Sequence, residues 1–157
     1  MIIGDGVIGL PNLEIGEPYS FTQDENGTFT QIKERKEIIL GADVFFNPCV
    51  VVEYGTVRNT IIGDNTKIDS FVMIGHDVQI GKSCLINTGA KILGHVTIGD
   101  YSRINAGAII HQKVTIGKNC IIGANSYVRH DVPDNTVVYG TPAKVVENYK
   151  YPRKTFS

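Results

Sequence analysis

Four histidines are the residues of this chain best suited to move protons near neutral pH: His76, His95, His111 and His130. Imidazole acts as a general acid or base because its ordinary pKa lies near neutrality. The gaps between them are 19, 16 and 19 residues, so no close pair resembles a zinc motif, and the sequence predicts no metal site. Asp77 follows His76 directly and is the nearest carboxylate able to orient the imidazole or stabilise its charge.

The elements that must position these residues follow a period of six. Twelve successive positions from Ile62 to Val128 contain eleven Ile and one Val, and the set two residues earlier, from Thr60 to Ser126, contains only small or medium residues. This period fits neither an amphipathic helix nor a flat sheet; it predicts an all-β hexapeptide β-helix, with three units in each 18-residue coil. Residue n then lies about 4.8 Å from residue n+18.

The repeat divides the chain into three predicted regions. Residues 1–37 form an N-terminal capping coil with a hairpin or loop, 38–132 form the β-helix, and 133–157 form a strand, a short helix and a tail. The main isoleucine phase resumes at Ile38 through Val44 and Val50, with Thr56 as the one polar residue before Ile62; Ile2 and Ile8 also lie in this phase, and residues 17–36 break the pattern.

Two local signals lie outside the regular repeat. Asn26-Gly27 favours a type I′ hairpin turn between Phe21 and Phe29. This segment either caps the first coil or reaches over a substrate site. Pro142 predicts the first turn of a short helix, through about Tyr149, that covers the last coil.

Composition excludes several classes of function. The 157 residues carry a net charge of −1, which argues against nucleic acid or an anionic membrane as the main partner. No apolar run reaches the roughly 18 residues of a membrane span, and the N-terminus lacks signal-peptide character, so the expected compartment is the cytoplasm. Cys84 and Cys120 fall in the small-residue set as core residues, two coils apart and too distant for a disulfide. Cys49 has no evident activating partner.

Folding the sequence by 18 sorts the histidines into columns. All four avoid the inward positions, so they are expected to be exposed or interfacial. His76 falls beside Gly94 on the next coil, which brings an imidazole close to a backbone N–H that no side chain covers. His95 falls over Asp77, where a surface ion pair is expected.

Residues 38–146 resemble the hexapeptide-repeat acyltransferases, whose fold is a left-handed parallel β-helix. The stretch 73–81 (MIGHDVQIG) is similar to a motif of the lipid A enzyme UDP-3-O-acylglucosamine N-acyltransferase. His76-Asp77, the stretch 87–90 (NTGA) and the endings 131–135 (DVPDN) and 140–144 (GTPAK) resemble bacterial nucleotide-sugar N-acetyltransferases. The left hand of the coil is implied by this resemblance alone.

The resemblance also implies roles for particular residues. His76 corresponds to the catalytic base and Gly94 to the backbone N–H that binds the thioester oxygen, while Asp77 is assigned to the base only as its nearest carboxylate in the sequence. The family sites lie between subunits of a homotrimer and take acetyl-CoA as co-substrate. Further contacts are implied for the acceptor sugar at Asn87 and His95, for pantetheine at Ala106, Gly107, Gly123 and Ala124, and for the CoA phosphates at Arg129 and Lys144.

These features predict an acetyl-CoA-dependent N-acetyltransferase that acts on a nucleotide-linked amino sugar in glycan or O-antigen biosynthesis. Two enzymatic alternatives remain open at this point: an N-acyltransferase that takes its acyl group from acyl carrier protein, and a sugar O-acetyltransferase. A third alternative is a β-helix with a structural or binding role and no catalysis.

Overall fold

The chain folds into a parallel β-helix in the computed structural model, which describes residues 1–18 and 20–147, with Asn12 described in its backbone only. Short strands recur at each coil and stack into three sheets. The sequence prediction of an all-β hexapeptide solenoid is therefore confirmed. Within the described part of the chain, no helix is long and apolar enough to cross a membrane.

Each sheet collects one strand from every coil. The first sheet contains Ile2–Ile3, Ile38–Leu40, Thr60–Ile62, Gln79–Ile80, Thr97–Ile98 and Thr115–Ile116. The second contains Phe45–Phe46, Lys67–Ile68, Leu85–Ile86, Arg103–Ile104, Ile121–Ile122, Val137–Gly140 and Ala143–Val145. The third contains Leu13–Gly16, Val50–Glu53, Met73–Ile74, Lys91–Ile92, Ile109–Ile110 and Tyr127–Val128. A 3-10 turn, Leu10–Asn12, precedes the first strand of the third sheet.

The predicted stacking by 18 residues is confirmed from Thr60 to Val128; the last coil is two residues shorter, so that Ile122 pairs with Val138. Ile74 pairs with Ile92 and Ile80 with Ile98, and every sixth residue from Ile62 to Ile122 is an isoleucine at most 2% exposed. The set two residues earlier is buried as well. Its hydroxyls are satisfied inside the coil: Thr66 Oγ1, for example, donates to the Gly81 carbonyl and accepts the Cys84 N–H. Cys84 and Cys120 are buried and free, as predicted.

Below Thr60 the repeat loses its phase. Leu40 pairs with Ile62 and Val52 with Ile74, so the offset is 22 residues and not 18. Four additional residues therefore lie between Glu53 and Thr60. In a six-residue period, an insertion of four residues is equivalent to a displacement of two positions in the opposite direction. Counting back from Ile62 in steps of six therefore reaches the smaller inward set before the insertion, and Ile38 pairs with Thr60.

The assignment of the earlier residues to the main isoleucine phase is consequently wrong. The large inward residues before the insertion are Leu40, Phe46 and Val52, each at most 2% exposed. Ile2 and Ile8, which the extended phase placed inward, are 57% and 61% exposed.

The predicted hairpin forms, with strands Phe21–Gln23 and Phe29–Gln31 paired antiparallel. Its turn is not type I′, because Gly27 has a φ of +84° while Asn26 lies outside the left-handed region. The Asp24 carboxylate instead accepts the N–H groups of Asn26 and Thr28 and closes the turn.

The hairpin is an insertion between the first and second coils. Ile2 pairs with Ile39, an offset of 37, so residues 2–16 form a coil of their own and about 19 additional residues follow it. The hairpin strands are exposed along their whole length and do not cover the core of the first coil.

The C-terminal helix predicted from Pro142 is wrong for the described residues. Ala143–Val145 forms a strand that pairs antiparallel with Val137–Gly140, since the chain reverses after Gly140 at a φ of +107° and the returning backbone takes its hydrogen bonds from that strand edge. The end of the predicted helix, at Tyr149, lies outside the described residues.

One corner of the coil carries all four histidines. The chain passes there from the third sheet to the first, over residues 17–37, 54–59, 75–78, 93–96, 111–114 and 129–131 in successive coils. We call this column of corners the histidine edge. Both insertions, the hairpin and the four additional residues, leave the coil along it.

Candidate active site on the histidine edge

The corner that follows Met73–Ile74 turns through a left-handed residue. Asp77 has a φ of +61°, and the equivalent residues of the next two coils, His95 and Lys113, have φ values of +63° and +66°. A residue in this conformation does not alternate sides as strand residues do. The Asp77 side chain therefore turns back beneath the corner, toward the imidazole of the residue before it.

His76 and Asp77 form a directly hydrogen-bonded pair. His76 Nδ1 lies 2.7 Å from Asp77 Oδ2; the Asp77 side chain is fully buried, and 14% of the His76 side chain is exposed. The prediction of a surface ion pair between His95 and Asp77 is therefore wrong, because the Asp77 carboxylate is buried. His95 Nε2 lies 3.7 Å from Asp77 Oδ2, farther than His76.

The buried carboxylate is held by donors from the preceding coil. Asp77 Oδ1 accepts the backbone N–H groups of Thr56, Val57 and Arg58 at 3.0, 2.8 and 2.7 Å, and Oδ2 accepts the Thr56 hydroxyl at 2.6 Å. Burial alone would raise the pKa of Asp77. The hydrogen bonds from Thr56, Arg58, His76 and Val57 outweigh it and lower the pKa well below its usual range.

The ionised carboxylate fixes the tautomer of His76. A carboxylate only accepts hydrogen bonds, so Nδ1 of His76 must carry the proton between them. In the neutral imidazole the lone pair then lies on Nε2, the atom directed away from Asp77. This is the protonation state that a general base requires.

Gly94 lies against the His76 ring, as the stacking by 18 predicted. A Cβ at position 94 would lie 2.7 Å from His76 Nε2 and 2.8 Å from Cε1, so a larger residue would displace the imidazole. Gly75 is close as well, since a Cβ there would lie 2.9 Å from the Gly94 nitrogen. Among the described residues the Gly94 N–H has no hydrogen-bond acceptor, whereas the next N–H, that of His95, donates to the His76 carbonyl at 2.9 Å.

His95 lies edge-on to His76, with ring centroids 5.0 Å apart and planes at 88°. Its side chain is 31% exposed. Burial lowers the pKa of His95; Asp77 raises it, and His76, Arg58 and Lys113 lower it further. Because the net direction is downward, the His95 imidazole is neutral at physiological pH and presents both a donor and an acceptor nitrogen.

Three residues of the site were not predicted from the sequence: Glu53, Thr56 and Arg58. Glu53 accepts the His76 backbone N–H at 3.0 Å. Arg58 donates from Nε to the Asp77 carbonyl at 2.7 Å and from Nη2 to the His95 carbonyl at 2.9 Å. The available signal was Thr56, the one polar residue in the isoleucine phase.

The ligating atoms of His76, Asp77 and His95 lie within 4.8 Å of one another, a grouping that could hold a metal ion. The bonding of the Asp77 carboxylate is already complete without one, however. Asp77 Oδ1 accepts three N–H groups and Oδ2 accepts a hydroxyl and an imidazole N–H. An ion would have to displace these donors, so the arrangement favours a hydrogen-bonded pair.

Five predicted contact residues lie on a different corner of the coil, where the second sheet passes to the third. Asn87, Ala106, Gly107, Gly123 and Ala124 all follow strands of the second sheet. Asn87 donates to Asn105 at 3.1 Å, and Gly123 is covered by the Tyr139 ring, which a Cβ would meet at 1.9 Å. One chain does not bring these residues to His76.

Arg129 and Lys144, by contrast, line one cleft at the C-terminal end of the histidine edge. The cleft has a volume of about 300 Å³ and is also lined by His130, Asp131 and apolar side chains, including Val138. Between this cleft and His76 lies His111, whose Nδ1 is 3.0 Å from the Tyr127 hydroxyl. All four histidines thus follow one line from the His76 corner to the cleft.

Comparison with known proteins points to transferases. The family profile "Bacterial transferase hexapeptide (six repeats)" matches residues 59–94, 77–112 and 95–130. UDP-3-O-acylglucosamine N-acyltransferase from Methylorubrum extorquens is 32% identical over 149 residues, which are 94% of this chain and 42% of that protein. The chain thus spans less than half the length of this curated relative.

Two solved structures share the fold. LpxA, a UDP-N-acetylglucosamine acyltransferase from Bacteroides fragilis, superposes with a TM-score of 0.76 at 25% identity over 92% of this chain and 55% of that one. The acetyltransferase domain of PglB from Neisseria gonorrhoeae, in complex with acetyl coenzyme A, superposes with a TM-score of 0.70 at 25% identity over 90% of this chain and 58% of that one. With their unbroken hexads and stacked coils, residues 59–130 match the hexapeptide-repeat family of bacterial transferases.

Proposed function

We propose that this protein is an acyltransferase that moves an acetyl group from acetyl-CoA to the amine of a nucleotide-linked amino sugar. The observation that carries the proposal is the arrangement of three groups: a buried carboxylate, an imidazole hydrogen-bonded to it at 2.7 Å, and a glycine N–H without an acceptor beside the free imidazole nitrogen. The kinship with named acyltransferases supports the reaction class.

In this mechanism the sugar amine attacks the thioester carbonyl carbon. A C–N bond forms, the amine proton passes to His76 Nε2, and the negative charge that develops on the carbonyl oxygen is stabilised by the Gly94 N–H. The C–S bond then breaks and the thiolate leaves, taking up the proton from His76. Asp77 stays ionised throughout and stabilises the imidazolium while it exists. No covalent enzyme intermediate is needed, so both substrates are bound together.

The donor is proposed to lie along the histidine edge, with its phosphates in the C-terminal cleft against Arg129 and Lys144 and its thioester at His76. The acceptor is proposed to contact His95, whose neutral imidazole can donate or accept a hydrogen bond. Asn87, Ala106, Gly107, Gly123 and Ala124 lie on another corner and would reach the same site only from a neighbouring subunit. The proposal therefore includes a homotrimer, which light scattering after gel filtration tests directly. It also places the enzyme in the cytoplasm, as expected from the sequence.

The decisive experiment is a thiol-release assay with acetyl-CoA against a panel of nucleotide-linked amino sugars, with product identified by mass spectrometry. Wild type should release CoA only when an amino sugar is present. His76→Ala should lower kcat by about 10²–10⁴ with little change in the KM for acetyl-CoA, because it removes a base and not a donor contact. His130→Ala, which removes an imidazole from the cleft proposed for the donor phosphates, should leave kcat unchanged and affect only the KM for acetyl-CoA. Full activity of His76→Ala would refute the assignment of the base.

The assay should also include a second donor, acyl groups carried on acyl carrier protein, because the similar proteins include N-acyltransferases as well as a domain solved with acetyl coenzyme A. Acyl groups of increasing length on acyl carrier protein should be offered with the same acceptors. Turnover with carrier-bound chains and none with acetyl-CoA would replace the proposed donor while keeping His76 as the base. Product linked through oxygen would indicate O-acetylation, and no turnover with any donor would favour a non-catalytic role.

A further inference from the structure

The four additional residues between Glu53 and Thr60 form a loop with one evident target. Three successive backbone N–H groups, those of Thr56, Val57 and Arg58, converge on a single carboxylate oxygen of Asp77 at 2.7 to 3.0 Å. Consecutive N–H groups that point to one centre form an anion-binding concavity, which in proteins usually holds a phosphate or another oxyanion. Here the anion is the chain's own buried carboxylate.

Side chains of the same loop complete the contact. The Thr56 hydroxyl, from a residue 4% exposed, donates to Asp77 Oδ2 at 2.6 Å, so that this oxygen is shared by Thr56 and His76. Among the described residues, every donor to Asp77 other than His76 therefore belongs to this loop. The corresponding corner of a regular 18-residue coil, such as 75–78, is four residues shorter.

Arg58 extends the contact to the next coil. Its Nε donates to the Asp77 carbonyl, and its Nη2 lies 2.9 Å from the His95 carbonyl and 3.2 Å from Thr97 Oγ1. One guanidinium thus bonds both left-handed corners, the one that carries His76 and the one that carries Gly94. The distance between the imidazole and the Gly94 N–H depends on how these two corners are spaced.

The base of the hairpin braces this loop from outside. The Lys36 N–H donates to the Gly55 carbonyl at 2.8 Å, and the Arg35 guanidinium lies 5.1 Å from the centre of the Tyr54 ring. The two insertions of the histidine edge are therefore in contact with each other, and the smaller one lies between the hairpin and Asp77.

We propose that Thr56 and Arg58 are positioning residues, and that the loop 54–58, which contains the insertion, is a clasp which orients the Asp77 carboxylate toward His76 and fixes the spacing between His76 and Gly94. The inference rests on the proposed acyl transfer for its kinetic consequence, but the clasp acts on His76 whether or not a substrate is known. The charged and titratable groups in contact with His76 are Asp77, Glu53 and His95, and His95 is in turn near the charges of Arg58 and Lys113.

The test uses Thr56→Val, which removes the hydroxyl at nearly constant shape, and Thr56→Ser, which keeps it. The His76 imidazole is titrated by NMR in the substrate-free protein. Removing the Thr56 donor takes a partial positive charge away from Asp77 Oδ2, so the negative charge felt by His76 increases and its NMR titration should move to higher pH in Thr56→Val than in wild type. Thr56→Ser should titrate as wild type.

The kinetic arm is a decrease of about tenfold or more in kcat for Thr56→Val and for Arg58→Lys, with the KM for acetyl-CoA unchanged and Thr56→Ser active. A merely structural loop would lower the melting temperature and leave both the His76 pKa and the kcat of the folded protein unchanged, and that result would overturn the proposal. If Thr56→Val does not fold, Arg58→Lys is judged by the same two readouts.

The two hypotheses fail in different ways. If the wild-type protein transfers no acyl group to any acceptor, the proposed function is refuted. A shifted His76 titration in Thr56→Val would still support the clasp. An unshifted titration together with wild-type kcat would refute the clasp and leave acyl transfer intact.

Discussion

Replacing Gly94 by alanine tests the geometry of the site with a single methyl group. The new Cβ would lie 2.7 Å from His76 Nε2 and 2.8 Å from Cε1, where ordinary contacts begin at 3.4 Å. The ring must therefore retreat by about 0.7 Å, which is enough to stretch or misalign its 2.7 Å bond to Asp77. Misplacement of a catalytic group on this scale costs roughly 10²-fold in rate.

The expected result is a decrease of about 10² in kcat/KM for Gly94→Ala, measured by thiol release. The backbone of residue 94 does not need a positive φ, so the melting temperature should change little. The control is the same substitution made in His76→Ala, where the methyl group has no imidazole to displace. Gly94→Ala should then add almost nothing, a strong departure from additivity. Full activity of the single variant, or an equal loss in both backgrounds, would refute the reasoning.

Three further predictions follow from the structure. The lowered pKa of Asp77 means that its contribution to stability is complete above the unfolded value of about 4 and is lost as the pH falls below it, so urea midpoints should drop between pH 5 and 3 in wild type and less in Asp77→Asn. Burial raises the pKa of Cys84 to about 11 and that of Cys120 in the same direction, while Cys49 is exposed; a thiol reagent at pH 8 should label one cysteine per native chain and three after denaturation. Arg129→Ala should raise the KM for acetyl-CoA several-fold and leave the KM for acetyl-pantetheine, which lacks the nucleotide phosphates, unchanged.

Much of the fold could be predicted from the sequence because every coil has the same packing requirement. Every sixth residue must fill the interior, and from Ile62 to Ile122 an isoleucine occupies each of these positions. The stacking of His76 on Gly94 followed from the same count. A solenoid is therefore unusual in that long-range contacts can be obtained from local spacing.

The phase error before Thr60 has a specific physical cause. A four-residue insertion moves a six-residue period onto its other inward set, and that set here contains Ile38, Val44 and Val50, which are large enough to pass as the main phase. Only Thr56 broke the pattern. Sequence spacing alone could not reveal that the polar residue marks a loop.

The environment of Asp77 was also beyond the sequence. Strand alternation predicts that neighbours point apart, whereas a left-handed corner turns the carboxylate beneath His76. Aspartate adopts this conformation more readily than most residues, but His95 and Lys113 occupy the equivalent corners, so residue type did not identify it. The C-terminal helix failed for a similar reason, because an open sheet edge was available to Ala143–Val145.

The even stacking of corners along the histidine edge has a consequence for the size of the donor. The His76 corner and the corner of Arg129 are three coils apart, so they are separated by about 14 Å along the axis. Because each coil contributes about 4.8 Å, adding or removing coils changes this distance only in steps of that size. Inserting one 18-residue coil between them would lengthen the span by one step without altering either end. A protein built this way can be matched to a longer or shorter carrier arm by adding or removing whole coils.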